Sequence, residues 1–259
     1  MSDEFVVFTL MAVLGLSVGS FLNVVAYRVP IKRSVLRPRS ACPVCAVEIS
    51  PRDNIPVVSW LLLKGKCRAC GDKISPRYLF VEAATAAAFT ITTAVVGLEW
   101  VLPAFLWFVS VTIVLILTDI DHKLIPNRIL YPGIVVGMVL LVAGGIADGG
   151  ATDVGRAMLG GAAYFIVLLV VALAAPTGGF GFGDVKLAIL LGLFTGYLGW
   201  GQVVVAFFFA FLAGGVFSML LLVTGIKGRK DAIPFGPYLV FGAYLAIAWG
   251  DQILDWYLA

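Results

Sequence analysis

Residues 100–122 read WVLPAFLWFVSVTIVLILTDIDH. No charge occurs before Asp119, and an uncharged apolar run of about twenty residues is the length at which a helix crosses hydrocarbon. Two aspartates then close the run. Similar runs recur along the chain, which is 61% hydrophobic and only 13% charged, with a mean hydropathy of +1.04. A soluble domain carries about 25% charged residues, so the composition specifies an all-α polytopic membrane protein. A large water-soluble domain is excluded, because the one long polar stretch runs from Arg28 to Arg77. Nothing is low-complexity, and no internal repeat is expected.

Working outward gives about eight spans: 5–27, 80–97, 100–118, 128–146, 157–175, 185–199, 201–224 and 237–257. The first is read as a true span rather than a cleavable signal. Asp3 and Glu4 precede it instead of basic residues, and it runs on to Arg28 without a small-residue cleavage site. The sixth is short, and the break at Gly199-Trp200-Gly201 is weak. The expected division is a first span over 1–27, a small polar insertion over 28–79 and a helical membrane domain over 80–259.

Basic residues orient the chain. With the N-terminus outside, segments 28–79, 119–127, 176–184 and 225–236 face inward. They and their first flanking residues hold seventeen of the eighteen Lys/Arg, and only Arg156 lies outside. Positive charge concentrates on the cytoplasmic side of membrane proteins. Both termini are therefore expected outside.

The same count brings Asp119, at the end of the third span, and Asp184, at the start of the sixth, to the cytoplasmic boundary. A carboxylate beside hydrocarbon is costly and usually functional. Two that meet can share a proton and divide the roles of acid and base. Asp119 ends its helix, where the dipole disfavours negative charge, and Asp184 begins one, where it is favoured. The proton of the resting pair is accordingly expected on Asp119. Gly178, Gly179, Gly181 and Gly183 precede Asp184. They are expected to let a substrate approach closely and to allow strained dihedrals. Asp121 is the rival partner, one step further from the apolar run and more solvated. His122, the only histidine, reads as a polar flank. Asp148, Asp153, Asp251 and Asp255 read as solvated ends, and Glu82 as either snorkelling or lining the cleft.

Cys42-Pro-Val-Cys45 and Cys67-Arg-Ala-Cys70 are two C-x-x-C pairs. This is the pattern of a tetrahedral zinc site. Four thiolates leave no open coordination position, so the zinc is expected to be structural. It would supply folding energy to a segment of about fifty residues with little core of its own. The surrounding basic residues suffice for topology, and Trp60 alone does not make a nucleic-acid surface. No nucleic-acid partner is expected. Gly15 and Gly19 form a small-xxx-small face for close helix packing. Asn23, polar at membrane depth, needs a partner.

Taken together, these segments resemble the bacterial type IV prepilin peptidases. The resemblance rests on Gly19-Ser20-Phe21-Leu22-Asn23-Val24-Val25, the two cysteine pairs, Asp53-Asn54-Ile55-Pro56 with Ser59-Trp60, and Ile74-Ser75-Pro76-Arg77-Tyr78. It continues through the stretch from Asp119 to Asn127, the stretch from Gly181 to Lys186, and Pro234-Phe235-Gly236-Pro237-Tyr238. The matches run in order from residue 15 to 240. Asn127 stands where many relatives show Asp. The resemblance implies a bifunctional membrane aspartyl protease of the GxGD kind. Such an enzyme cleaves the basic leader of prepilins and pseudopilins on the cytoplasmic side of the bacterial inner membrane. It then N-methylates the new terminus with S-adenosylmethionine. Asp119 and Asp184 match the proteolytic pair, and methylation attaches to the cysteine segment, where no glycine-rich nucleotide loop locates the donor. The alternatives are a peptidase without methylation, a relative of the presenilin or preflagellin-peptidase kind, and a proton-coupled transporter using paired carboxylates. A transporter predicts polar residues along mid-span, whereas the second to eighth spans are nearly uniformly apolar.

Overall fold

The computed structural model describes residues 2–174, 181–225 and 233–259. Eight long helices follow the eight expected spans, with one short helix between the first two: α1 (Ser2–Arg28), α2 (Val58–Leu62), α3 (Arg77–Val96), α4 (Leu102–His122), α5 (Asn127–Ala147), α6 (Ala151–Ala174), α7 (Phe182–Leu198), α8 (Trp200–Val223) and α9 (Gly236–Leu258). Six of them, α1, α3, α4, α5, α6 and α8, are long and apolar enough to cross a membrane. The chain is a multi-pass membrane protein. Two compact units are present, residues 1–94 and 95–259.

In the first unit α1 lies directly against α3. A Cβ on Gly15 would stand 2.6 Å from the Ala86 Cα, and one on Gly19 2.9 Å from the Glu82 Cα. The small face therefore packs as expected. Asn23 finds its partners in the same seam, donating through Nδ2 to the Gly19 carbonyl (3.2 Å) and the Tyr78 carbonyl (3.4 Å).

The polar stretch between these helices contains an internal repeat, contrary to the sequence expectation. Cys42, Cys45 and Ile49-Ser50-Pro51-Arg52 recur twenty-five residues later as Cys67, Cys70 and Ile74-Ser75-Pro76-Arg77. The backbone repeats with them. Cys42 N–H donates to Val47 O and Cys67 N–H to Asp72 O; Ala46 N–H donates to Cys42 O and Gly71 N–H to Cys67 O. Ile49 N–H reaches Ser40 O, and Ile74 N–H reaches Gly65 O. Ala46 and Gly71 occupy the same left-handed position, at φ 57° and 73°. In each copy Ser-Pro then opens a helical turn, the 3-10 segment Pro51–Asn54 in one and α3 in the other. Arg68 donates through Nε and Nη2 to the Asp53 carboxylate, the shortest contact being 2.7 Å. This ion pair ties the first copy to the second. Trp60 covers Gly65, whose φ of +65° suits glycine, and donates Nε1–H to the Ile74 carbonyl. Glu82 is buried and accepts the Val57 N–H at 2.7 Å. It therefore holds the α2 approach in place rather than snorkelling.

The second unit is built around α7. Its residues are buried on nearly every side, between α4, α5, α6, α8 and α9. A helix apolar all round belongs in the middle of a bundle. At 17 residues α7 is the shortest of the long helices. Phe194 of α7 stacks on Phe108 at 4.6 Å and meets Phe105 edge-on at 5.2 Å, joining it to α4. Glycines join it to α6: a Cβ on Gly160 would lie 2.6 Å from the Gly192 carbonyl oxygen. The break before α8 is a single residue, Gly199.

Acids expected to be merely solvated close helix ends instead. Asp148 accepts Trp100 N–H (2.9 Å) and Val101 N–H (3.0 Å) at the start of α4. Asp153 pairs with Arg156 at 2.9 Å. Arg156 in turn donates to the carbonyls of Gly196, Tyr197 and Leu198 at the end of α7. Arg156 is thus occupied capping the central helix.

Candidate active site and cysteine centre

The opposite end of the second unit gathers three helix termini. α4 arrives with Asp119 and is closed by Lys123, left-handed at φ 51°, whose N–H donates to the Asp119 carbonyl. α7 departs with Asp184 in its first turn, where the Asp184 N–H donates to Gly181 O. α9 starts at Gly236, whose N–H donates to Asp119 Oδ2 at 3.1 Å. Both carboxyls are buried, at 5% and 7% exposure. Ile125 packs against the glycines beside them. It is 3.1 Å from a Cβ position on Gly183 and 3.5 Å from one on Gly236. Both carboxyls thus stand at the same end of the unit, Asp119 in the last turn of α4 and Asp184 in the first turn of α7.

Glycines at this end serve space rather than strain. Gly181 has an ordinary extended backbone, φ −77° and ψ 131°. A Cβ there would stand 2.9 Å from Asp184 Oδ2, and one on Gly183 3.1 Å from Ile125 Cβ. A Cβ on Gly236 would stand 2.8 Å from Asp119 Oδ2. Three glycines make room for the two acids and for Ile125. The expected strained dihedrals are absent at Gly181, and Gly178 and Gly179 lie outside the described residues. Gly236 is the group that sequence reading missed as a site residue. Its only signal was its place in Pro234–Tyr238, next to a helix start.

The expected dipole argument also changes. Asp119 does end its own helix, but its carboxyl meets the N-terminal N–H of α9. Asp121 and His122 are exposed, in keeping with their reading as solvated flanks. Lys186, two residues beyond Asp184, donates to Asn127 Oδ1 at 3.2 Å and lies over the rings of Phe182 and Tyr131. This ties the first turns of α5 and α7 together. With Asn at position 127 the contact is charge to dipole, not an ion pair.

In the first unit Cys42, Cys45, Cys67 and Cys70 converge, with all four Sγ atoms within 4.8 Å of one another. Cys42 Sγ and Cys70 Sγ are 3.8 Å apart. Tetrahedral Zn–S bonds of about 2.3 Å place sulfurs about 3.8 Å apart, so the donors fit such an ion. All four are free cysteines. Backbone hydrogen bonds from Cys45 and Val44 outweigh burial and bring the Cys42 thiol down to about 7. The Asp72 backbone lowers Cys70, but burial and the three neighbouring thiols outweigh it and leave that thiol at about 12. Four thiols this close cannot all ionise without a cation among them.

Comparison with known proteins agrees with this architecture. Residues 13–96 match the bacterial peptidase A24 N-terminal domain, and residues 104–219 match the type IV leader peptidase family. The chain is 35% identical over 251 residues to a prepilin leader peptidase/N-methyltransferase of Bacillus subtilis, covering 96% of this chain and 97% of the relative. It is 33% identical to proteins of the same name from Aeromonas salmonicida, over 97% of this chain and 94% of the relative, and Pseudomonas aeruginosa, over 95% and 91%. No solved structure matches the chain. By these matches over nearly its full length, the chain belongs to the type IV leader peptidase family.

Proposed function

We propose that the chain removes the basic leader from type IV prepilins and pseudopilins, with Asp119 and Asp184 as its catalytic pair, and then N-methylates the new terminal residue. The observation that carries the proteolytic half is the pair of buried carboxyls at one end of a helical bundle. A transporter is disfavoured, since the acids cluster at one end and the family is proteolytic. The protein would sit in the bacterial inner membrane with both termini outside and the dyad at the cytoplasmic face. The distribution of Lys and Arg supports that orientation. The substrate would be a single apolar helix whose basic leader stays inside, putting the scissile bond at the depth of the two acids.

In this mechanism one aspartate is ionised and the other protonated. The carboxylate takes a proton from water as the water oxygen attacks the scissile carbonyl carbon. The protonated acid gives its proton to the carbonyl oxygen. As the diol intermediate collapses and the C–N bond breaks, the acid that took the water proton gives it to the leaving amine, while the other, now a carboxylate, takes a proton from a diol hydroxyl, and the resting protonation of the pair is restored. Gly236 N–H holds Asp119 Oδ2 throughout.

Segment 28–79 would be the methylation-associated part and 80–259 the peptidase. The four cysteines would hold a structural zinc. S-adenosylmethionine would supply the methyl group to the free amine that cleavage exposes. That half rests on the names of the relatives, not on a cradle for the donor.

The test incubates the full chain in detergent with purified prepilin and methyl-labelled S-adenosylmethionine and reads the products by mass spectrometry. The expected product has lost its leader and gained one labelled methyl group. An intact leader rejects the proposal, and a shortened product without label rejects its second half.

A further inference from the structure

α4 and α9 run antiparallel, and two hydrogen-bonded rungs join them. One is Gly236 N–H to Asp119 Oδ2. The other joins hydroxyls: Tyr244 Oη lies 2.7 Å from Thr112 Oγ1. Thr112 is fully buried and its hydroxyl lies 2.7 Å from the Phe108 carbonyl. Either hydroxyl can donate across the rung, and Tyr244 Oη also lies 3.5 Å from the Val109 carbonyl of the same helix. Along α4 the rungs are seven residues apart, and along α9 eight, which is two helical turns on each helix and about 10–12 Å of rise. Between the rungs, Leu115 and Val240 are apolar and buried.

An apolar interface between helices in hydrocarbon discriminates weakly between neighbouring registers, while a buried hydrogen bond discriminates strongly. A slide of one residue moves α9 by about 1.5 Å. That separates Tyr244 from Thr112, and it also carries the Gly236 N–H, at 3.1 Å, out of reach of Asp119. We propose that the Tyr244–Thr112 hydroxyl rung is the positioning device that sets the register of α9, so that Gly236 N–H meets Asp119. The inference rests on reading Asp119 as a catalytic acid. Tyr244 and Thr112 touch neither substrate nor the reacting atoms; they act through α9.

The experiment measures prepilin cleavage by the full chain in detergent, as kcat, KM and the pH profile of kcat, with thermal unfolding beside it. Tyr244→Phe and Thr112→Val remove one hydroxyl each. Both are expected to lower kcat roughly tenfold to a hundredfold, as angstrom-scale misplacement does. KM stays within about twofold, and the pH profile shifts. Thr112→Ser keeps the hydroxyl and restores the wild-type rate. The double variant is no slower than the slower single one, because both remove the same rung. Wild-type kcat and pH profile in Tyr244→Phe and Thr112→Val, even with lowered thermal stability, overturn the inference. Register is then set by the close α8–α9 packing, where a Cβ on Gly242 would meet the Ala210 nitrogen at 2.7 Å. A Thr112→Ser variant as slow as Thr112→Val overturns it too. Asp119→Ala serves as the control: if it cleaves at the wild-type rate, the catalytic reading of Asp119 has failed, and with it the ground of this inference.

Discussion

Replacing Gly236 by alanine isolates the contact between α9 and Asp119. The new Cβ would stand 2.8 Å from Asp119 Oδ2 and 3.5 Å from both Asp119 Cγ and Ile125 Cδ1. Ordinary contact begins at 3.4 Å, so only the carboxyl oxygen must move, by about 0.6 Å (3.4 less 2.8). Backbone conformation is no obstacle, since Gly236 does not occupy the left-handed region. The displacement stretches the 3.1 Å hydrogen bond beyond useful length. A hydrogen bond to an ionisable group contributes about 1.5–3 kcal/mol, equivalent to roughly a tenfold to 150-fold loss of rate. The assay is prepilin cleavage at saturating substrate, followed by mass spectrometry. Gly215→Ala is the control, because a Cβ there meets nothing within 4 Å. Gly236→Ala should be slow at nearly unchanged KM and thermal stability, while Gly215→Ala should match wild type. A Gly236→Ala enzyme with wild-type kcat would refute the reasoning that this N–H positions Asp119.

Three further outcomes follow from the structure. Zinc, measured by elemental analysis, should be present at about one per chain and lost on Cys67→Ser; binding needs thiolates, so affinity should fall steeply as pH drops through about 7, where the Cys42 thiol regains its proton. Arg156→Met should leave the end carbonyls of α7 and the Asp153 carboxylate without their cation. It should cost about 1–3 kcal/mol in thermal unfolding with kcat little changed. Hydrogen bonding and charge from Arg68 hold Asp53 below the usual carboxylate range. A depressed folded-state value stabilises above the unfolded value near 3.8 and is lost as pH falls below it. Arg68→Leu should therefore lower the melting temperature at pH 7 by more than it does at pH 3.

The helices were legible because apolar runs between polar breaks need only length and composition to be recognised, and even the one-residue break at Gly199 was visible. What α7 does was not. Its short run looked like an uncertain span, yet it is the helix that the other helices of the second unit pack around. The twenty-five-residue repeat is faint in the sequence because, outside the cysteines, only Ile-Ser-Pro-Arg recurs between residues 42–52 and 67–77. Ile-Ser-Pro-Arg follows each pair at the same offset but enters an isolated 3-10 turn in one copy and a long helix in the other. Asp119 and Asp184 could be brought to one end by parity, since that requires only counting crossings. The groups around them could not: Gly236 is 117 residues from Asp119, and its part is a single N–H. Asp148 and Asp153 looked solvated because a sequence does not reveal which helix end lies beside them.

The most direct test of the central claim is the cleavage rate of Asp119→Asn and Asp184→Asn, each close in shape to the native acid and unable to exchange its proton. The account predicts that both keep the thermal stability and zinc content of wild type and cleave prepilin at less than about a thousandth of its rate. Leader removal at the wild-type rate by either variant would contradict it and take that residue out of the mechanism.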